Sequence, residues 1–220
     1  MGVTAYQLGQ ERDSAMVALI SRLRFMTADQ VSRCLFQGRR RVAARRLQRL
    51  VETGRLRSQR LEGSSGPAVY WTPTRIYSRA VREALAVSEL YCRLMETRPT
   101  TAKLLRFDVE VPHTTVRPDA VIVTATEGRP RAVLLEWDTG TTALERVAAK
   151  IPAYEAYAKS GNYRQTAWWQ PGIDVALVLA VPEPRREPLS QLWRRLTTAL
   201  PPVVVDHARL ISNPWRVLSN

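Results

Sequence analysis

Between residues 10 and 25, Met16, Leu19, Ile20 and Leu23 recur at helical spacing, which predicts a first helix with one buried face. Thr27-Ala28-Asp29-Gln30 then has the form of a capping box, with Thr27 closing the start of a second helix and Gln30 reaching back to it. Val31, Cys34 and Leu35 supply the buried stripe of that helix, and Gln37-Gly38 interrupts the pattern. From residue 39 to 53 the pattern resumes, with Ala43, Leu47, Leu50 and Val51 on one side, until Gly54 stops it. Two short helices joined by a glycine turn, after a longer one, make a helix-turn-helix candidate. The runs Leu56 to Leu61 and Ala68 to Thr72 have strand-like composition and flank Glu62-Gly63-Ser64-Ser65-Gly66-Pro67, the signature of a hairpin with a flexible tip, or wing.

Residues 75 to 96 carry a long helical pattern through Ile76, Ala80, Val81, Ala84, Leu85, Val87, Leu90, Tyr91 and Leu94. The period then changes. Leu104 to Val111, Ala120 to Thr124 and Ala132 to Trp137 read as strands, and residues 142 to 160 as a helical segment. Val175 to Val181 reads as a buried strand, 187 to 200 as a helix, and Val203 to Val205 as a last short strand. Pro182, Pro184 and Pro188 mark an exposed connection. The order α-β-β-β-α-β-α-β predicts an α/β or α+β domain built on one mixed sheet over residues 75–220, following a winged helix-turn-helix domain over residues 1–74.

Charge adds to this picture. The 220 residues hold 33 Lys and Arg against 20 Asp and Glu, a formal net charge of +13, which favours a polyanionic partner. Residues 1–74 hold 13 basic and 5 acidic side chains, so the first third carries most of the excess. Cys34 and Cys92 lie in helical patterns among apolar neighbours and read as reduced core residues, which fits a cytoplasmic location. The start of the chain has no apolar run of a secretory signal, and no stretch reaches bilayer length, so no membrane partner is expected.

On a wheel of the third predicted helix, Arg41, Arg45 and Arg49 fall opposite Ala43, Leu47 and Leu50, with Arg39 and Arg40 in the first turn and Arg46 among them. In a helix-turn-helix this is the element that enters the major groove of duplex DNA, and flanking arginines hold phosphates. Arg57 and Arg60 would ride the wing along the neighbouring backbone. The plainer alternative is a solvated basic face. Nine arginines between residues 39 and 60, on a helix-turn-wing pattern, favour nucleic acid.

Three acidic residues stand where strands begin or end: Asp119 after Arg117-Pro118, then Glu136 and Asp138 at the end of an apolar strand. Alternation puts Glu136 and Asp138 on one face, and a neighbouring strand can bring Asp119 beside them. Clustered carboxylates repel unless a hard divalent cation such as Mg²⁺ (or Mn²⁺) joins them, and a metal so held can support phosphodiester cleavage. These residues resemble the PD-(D/E)XK nuclease fold, in which a helix, a sheet and carboxylates follow in this order. A winged helix followed by RPDAVIV, LLEWDTGT and a helix with Lys150 and Tyr154 is similar to the replication-relaxation family of plasmid and mobile-element proteins. The resemblance implies that Asp119, Glu136 and Asp138 are metal ligands and catalytic residues. Asp138 occupies the slot where the nuclease motif has lysine, and Lys150 is the candidate for the displaced cation. Its alternative is an ion pair with Glu145 or Glu155, and Pro152 threatens the helix that would aim it.

Trp168-Trp169 with Tyr163 suits either a base-stacking platform or a core edge, the second being the commoner use. Tyr154 and Tyr157 read as core or interface residues. His113 and His207 lack companions at zinc-ligand spacing, and no phosphate loop or nucleophile elbow is present, which disfavours nucleotide hydrolysis and acyl transfer. Three functions stay open: a DNA-binding protein acting in replication or its control, a Mg²⁺-dependent endonuclease or nickase, and a transcriptional repressor acting as a homodimer.

Overall fold

The computed structural model describes residues 5–61, 65–75, 81–110, 112, 115–196 and 202–219. The expectations for the hairpin tip at 62–64, for Ile76 and Ala80, for Val111, for His113 and for 197–200 lie outside the described residues. The chain divides into two compact units, Met1–Cys92 and Arg93–Asn220.

The first unit contains α1 (Ala5–Leu23), β1 (Met26–Thr27), α2 (Ala28–Leu35), α3 (Arg40–Glu52), β2 (Arg57–Arg60), β3 (Ala68–Trp71) and the part of α4 (Val81–Glu96) up to Cys92. Met16, Leu19, Ile20 and Leu23 of α1 and Ala43, Leu47 and Leu50 of α3 are buried as their period marks, with Val51 half-buried. The second helix, α2, departs from its expected stripe, since Val31 is buried but Cys34 is half-buried and Leu35 exposed, and Gln30 and Ser32 are buried instead. The capping box forms. Thr27 Oγ1 accepts from the Gln30 amide at 3.2 Å, and the Thr27 amide donates to Gln30 Oε1 at 3.0 Å. Gln30 also reaches α4, its Nε2 donating to the Leu85 carbonyl at 3.0 Å and to Glu89 Oε2 at 3.2 Å. Arg33 takes the same carboxylate at 2.7 and 3.1 Å, a paired geometry that fixes both side chains. With α2 bonded to α4 at Leu85 and Glu89, the first compact unit runs on into α4 as far as Cys92. Gly38, at φ +78°, turns the chain from α2 into α3 in a conformation that strains any side-chain-bearing residue.

Among the described residues the first unit has a three-stranded antiparallel sheet of order β1-β3-β2. Its third strand is a finding: Met26 pairs with Tyr70 and Thr27 with Val69, in a strand too short to show alternation.

The second unit is mixed α+β. Its elements are β4 (Ala102–Val109), β5 (Ala120–Thr126), β6 (Arg129–Trp137), α5 (Leu144–Ala148), α6 (Ile151–Ser160), β7 (Asp174–Val181), α7 (Glu183–Leu196), β8 (Pro202–Asp206), α8 (His207–Ser212) and α9 (Pro214–Ser219). Among the described residues one sheet has the order β4-β5-β6-β7-β8, antiparallel through β6 and parallel beyond it. Val121, Val123, Leu134, Leu177, Leu179 and Val181 pack on one side against Ile151, Tyr154, Tyr157, Leu189 and Trp193 from α6 and α7.

Three expectations change. The segment 142–160 is two helices, broken at Ala149-Lys150, with Pro152 in the first turn of α6. Proline is tolerated there because a first-turn amide has no partner within the helix, so the helix that aims Lys150 begins at the break and is not kinked. The proline-marked connection is helical: α7 starts at Glu183 and carries Pro188 inside it, on its exposed side. Finally, α8 and α9 lie where no element is predicted, and Trp215 of α9 is buried with its Nε1 donating to the Leu94 carbonyl at 2.9 Å.

Thr27→Ala removes one half of the capping box and is expected to lower unfolding free energy by about 1 kcal/mol. Gln30→Ala, which loses the box and both bonds to α4, should cost more; urea denaturation of the two variants checks the order.

Candidate functional site

Two sites come out of these folds, one in each unit. On α3 the buried stripe of Ala43, Leu47 and Leu50 leaves Arg40, Arg41, Arg45 and Arg49 exposed along the opposite side. Arg39, just before the helix, is exposed and leans on the Phe36 carbonyl at 3.3 Å. Arg57 and Arg60 are exposed on β2, with Arg60 donating to the Gly66 carbonyl at 3.1 Å. Arg46 departs from the set: it lies three residues after Ala43 and four before Leu50, at the border of the buried stripe, and pairs with Asp13 of α1 at 2.9 Å. It fastens α3 to α1.

In the second unit the ladder between β5 and β6 pairs Ala120 with Leu135, so the next step sets Asp119 opposite Glu136. Asp119 Oδ2 accepts from the Trp137 amide at 2.6 Å, and the Asp119 amide donates to the Leu135 carbonyl at 2.8 Å, so the carboxylate is fixed at the end of the sheet. Glu136 follows Leu134 on the face covered by α6 and is 4% exposed. A carboxylate so deeply placed needs partners. One oxygen accepts from the Lys150 ammonium and the other from the Tyr154 hydroxyl. Lys150 and Tyr154 stand four residues apart at the start of α6, one above the other on a single helix face. Burial pushes the Tyr154 phenol well above the ordinary range, and the charges of Glu136 and Asp119 push it further. It therefore donates its proton to Glu136 across the physiological range.

Asp138 turns to different partners. Its Oδ1 accepts from the Gly140 amide at 3.0 Å, and its Oδ2 lies 3.0 Å from Arg185 Nε of α7 in a buried ion pair. Gly140, at φ +85°, leaves room that a Cβ would take 2.9 Å from Pro182. Trp137, pointing to the other face, stacks on His207 with ring centroids 4.4 Å apart and planes 8° from parallel. Burial lowers the His207 pKa.

The structure thus brings together Asp119, Glu136 and Lys150, and sets Asp138 apart with Arg185. Among the described residues no group of three His, Cys, Asp or Glu side chains converges to hold a metal ion. A facing pair of carboxylates matches the hard oxygen donors that Mg²⁺ takes beside water and substrate phosphate, so Asp119 and Glu136 are the residues that would hold such an ion. Glu145 and Glu155 are not the partners of Lys150; Glu155 pairs with Lys159 at 2.7 Å. Tyr154 as a donor and Arg185 as a counter-charge are not evident in the sequence, although the four-residue step from Lys150 to Tyr154 marks a shared face. Trp168 is buried in the core and stacks on Tyr163 at 6.5 Å, so this aromatic run closes a core edge.

Lys150→Ala leaves a buried carboxylate short of its cation and is expected to cost about 1–3 kcal/mol, with Lys150→Arg recovering most of it; chemical denaturation measures both. A raised phenol pKa favours the folded state fully below the unfolded value of about 10, and this contribution is lost as pH rises toward the folded value. Phenolate absorbance should therefore show Tyr70, Tyr154 and Tyr157 among the late-titrating tyrosines, all three raised by burial and Tyr157 pushed to about 12, and Tyr154→Phe should remove one of them.

No curated protein matches the sequence. Among solved structures, the chain is similar to the restriction endonuclease FokI, free at 10% identity and a TM-score of 0.42, and bound to DNA at 9% identity and a TM-score of 0.34. Both superpositions are weak; they cover 100% of this chain and 46% of the other, so the chain spans less than half the length of FokI. Residues 64–172 match the model of the family described as replication-relaxation, a span that holds Asp119, Glu136, Asp138, Lys150 and Tyr154 and leaves out α1, α2 and α3. That span is the part of the chain that is similar to the replication-relaxation family.

Proposed function

We propose that this is a DNA-binding protein acting in replication or its control, in which the first unit is a winged helix-turn-helix that docks α3 on duplex DNA. The observation that carries the reading is the division of α3 into a buried apolar stripe and an exposed row of guanidinium groups at Arg41, Arg45 and Arg49. A helix about 10–12 Å across fits the major groove, where guanidinium groups pair with guanine edges and phosphate oxygens. Arg39 and Arg40 stand at the N-terminal end, which is the end that meets base edges in this kind of docking. Val42, 39% exposed between Arg41 and Arg45, suits contact with a thymine methyl group. Arg57 and Arg60 on β2 serve the phosphates beside the groove. Arg46 acts indirectly, by holding α3 against α1.

The second unit, in this reading, is a PD-(D/E)XK-like domain. Its support is topological: α4 precedes three antiparallel strands, two helices follow, and β7 returns parallel to β6 with Asp119 and Glu136 facing one another at the strand ends. One specific contact favours a second reading, metal-dependent DNA cleavage: Lys150 reaches Glu136 from the next helix and so supplies a cation close to the place where the nuclease motif has lysine. Asp119 and Glu136 would hold Mg²⁺ or Mn²⁺, which when bound supplies an activated water for phosphodiester hydrolysis. Lys150, half exposed beside Glu136, is placed to neutralise phosphate charge, and Tyr154 holds the Glu136 carboxylate in its rotamer.

Binding measured against salt tests the first reading. Affinity for duplex DNA should fall steeply as salt rises, and Arg45→Ala and Arg49→Ala should each lower the slope of log affinity against log salt by about 1. An unchanged slope in both variants would refute the docking of α3. For the second reading, supercoiled plasmid with protein and Mg²⁺ or Mn²⁺ should be nicked by wild type and left intact by Glu136→Ala. Plasmid unchanged by wild type at high protein concentration rejects cleavage while leaving the binding proposal standing.

A further inference from the structure

The two cysteines lie 58 positions apart in sequence, on α2 and α4, yet their sulfur atoms stand 3.0 Å from each other in the first unit. Covalently bonded sulfurs stand about 2.05 Å apart, so the two thiols are already aimed at one another and need close by only about one ångström. Their surroundings differ. Cys92 is fully buried, and its thiol also faces the Gln30 carbonyl at 3.7 Å. Cys34 is only partly buried. The hydrogen bond with Cys34 and burial both push the Cys92 thiol far above its ordinary range, so Cys92 keeps its proton until a partner sulfur is presented to it. The elements that carry the pair are already fixed in register by the bonds of Gln30 and Arg33 to Leu85 and Glu89.

We propose that Cys34 and Cys92 form a reversible oxidation site, in which a low-molecular-weight disulfide converts the dithiol to a bond that staples α2 to α4. Cys34 sulfur, giving its proton to solvent, attacks one sulfur of the reagent; the reagent's S–S bond breaks and one thiol leaves. Cys92 then loses its proton and attacks Cys34 sulfur, expelling the second thiol. Two protein S–H bonds are exchanged for one S–S bond, and the reagent is reduced to two thiols. Access dictates the order of attack, since only Cys34 borders solvent. The bond would tie the helix that leads through Gly38 into α3 to its support on α4.

The test uses the full chain with oxidised glutathione and reads intact mass without reductant. The expected product has lost the mass of two hydrogens, joins the Cys34 and Cys92 peptides in a non-reducing digest, unfolds several degrees higher, and reverts with dithiothreitol. Cys92→Ala, checked for folding by circular dichroism, should retain one glutathione on Cys34. Wild type that accumulates the glutathione adduct, forms only intermolecular dimers, or stays fully reduced under the same treatment overturns the proposal; this result does not depend on the variant.

Discussion

The packing of α3 governs the first unit. Ala43, Leu47 and Leu50 are buried and α3 packs against α2, and a helix that buries one stripe must turn the opposite one to solvent. With arginine at positions 41, 45 and 49, that constraint produces a row of positive charge on a rigid rod. Among the described residues no carboxylate pairs with Arg41, Arg45 or Arg49 in the way Asp13 pairs with Arg46. The support of α3 is itself held: Gln30 and Arg33 bind α2 to α4, so the turn at Gly38 starts from a fixed point.

A different balance operates in the second unit. Glu136 occupies a buried position that apolar side chains hold elsewhere along the same strand face, and two donors from α6 compensate its charge. Burying a carboxylate costs more than it returns unless its partners are well placed, so such an arrangement is a poor source of stability and a good marker of chemistry. Asp138 has its own compensation in Arg185 and the Gly140 amide. The carboxylates therefore separate into a facing pair, Asp119 and Glu136, and a structural ion pair that closes the loop after β6.

What could be read from the sequence follows from how local each interaction is. The capping box of Thr27 and Gln30 spans four residues and is visible as a motif, and the amphipathic period of α3 repeats often enough to place every arginine but Arg46. That residue sits at the edge of the stripe, where the wheel does not decide and the partner, Asp13, is distant in sequence. β1 has two residues and no period to show. The break between α5 and α6 hides in a continuous helical pattern, with Pro152 as the only mark, and proline is compatible with either a kink or a new first turn. At the second site strand alternation suggests Glu136 and Asp138 on one face with Asp119 on a neighbouring strand, but it does not show that Asp138 turns to Arg185. The roles of Tyr154 and Arg185, and the meeting of Cys34 with Cys92, depend on tertiary register that no window of sequence contains.

The central claim is that the guanidinium face of α3 meets a nucleic-acid duplex. Hydrogen–deuterium exchange on the full chain, with and without duplex DNA at low salt, addresses it most directly, because backbone protection reports where contact occurs without altering any residue. The account predicts slowed exchange over residues 38–60, strongest in the first turns of α3. Unchanged exchange across that segment, with protection confined to residues 93–220, would contradict it.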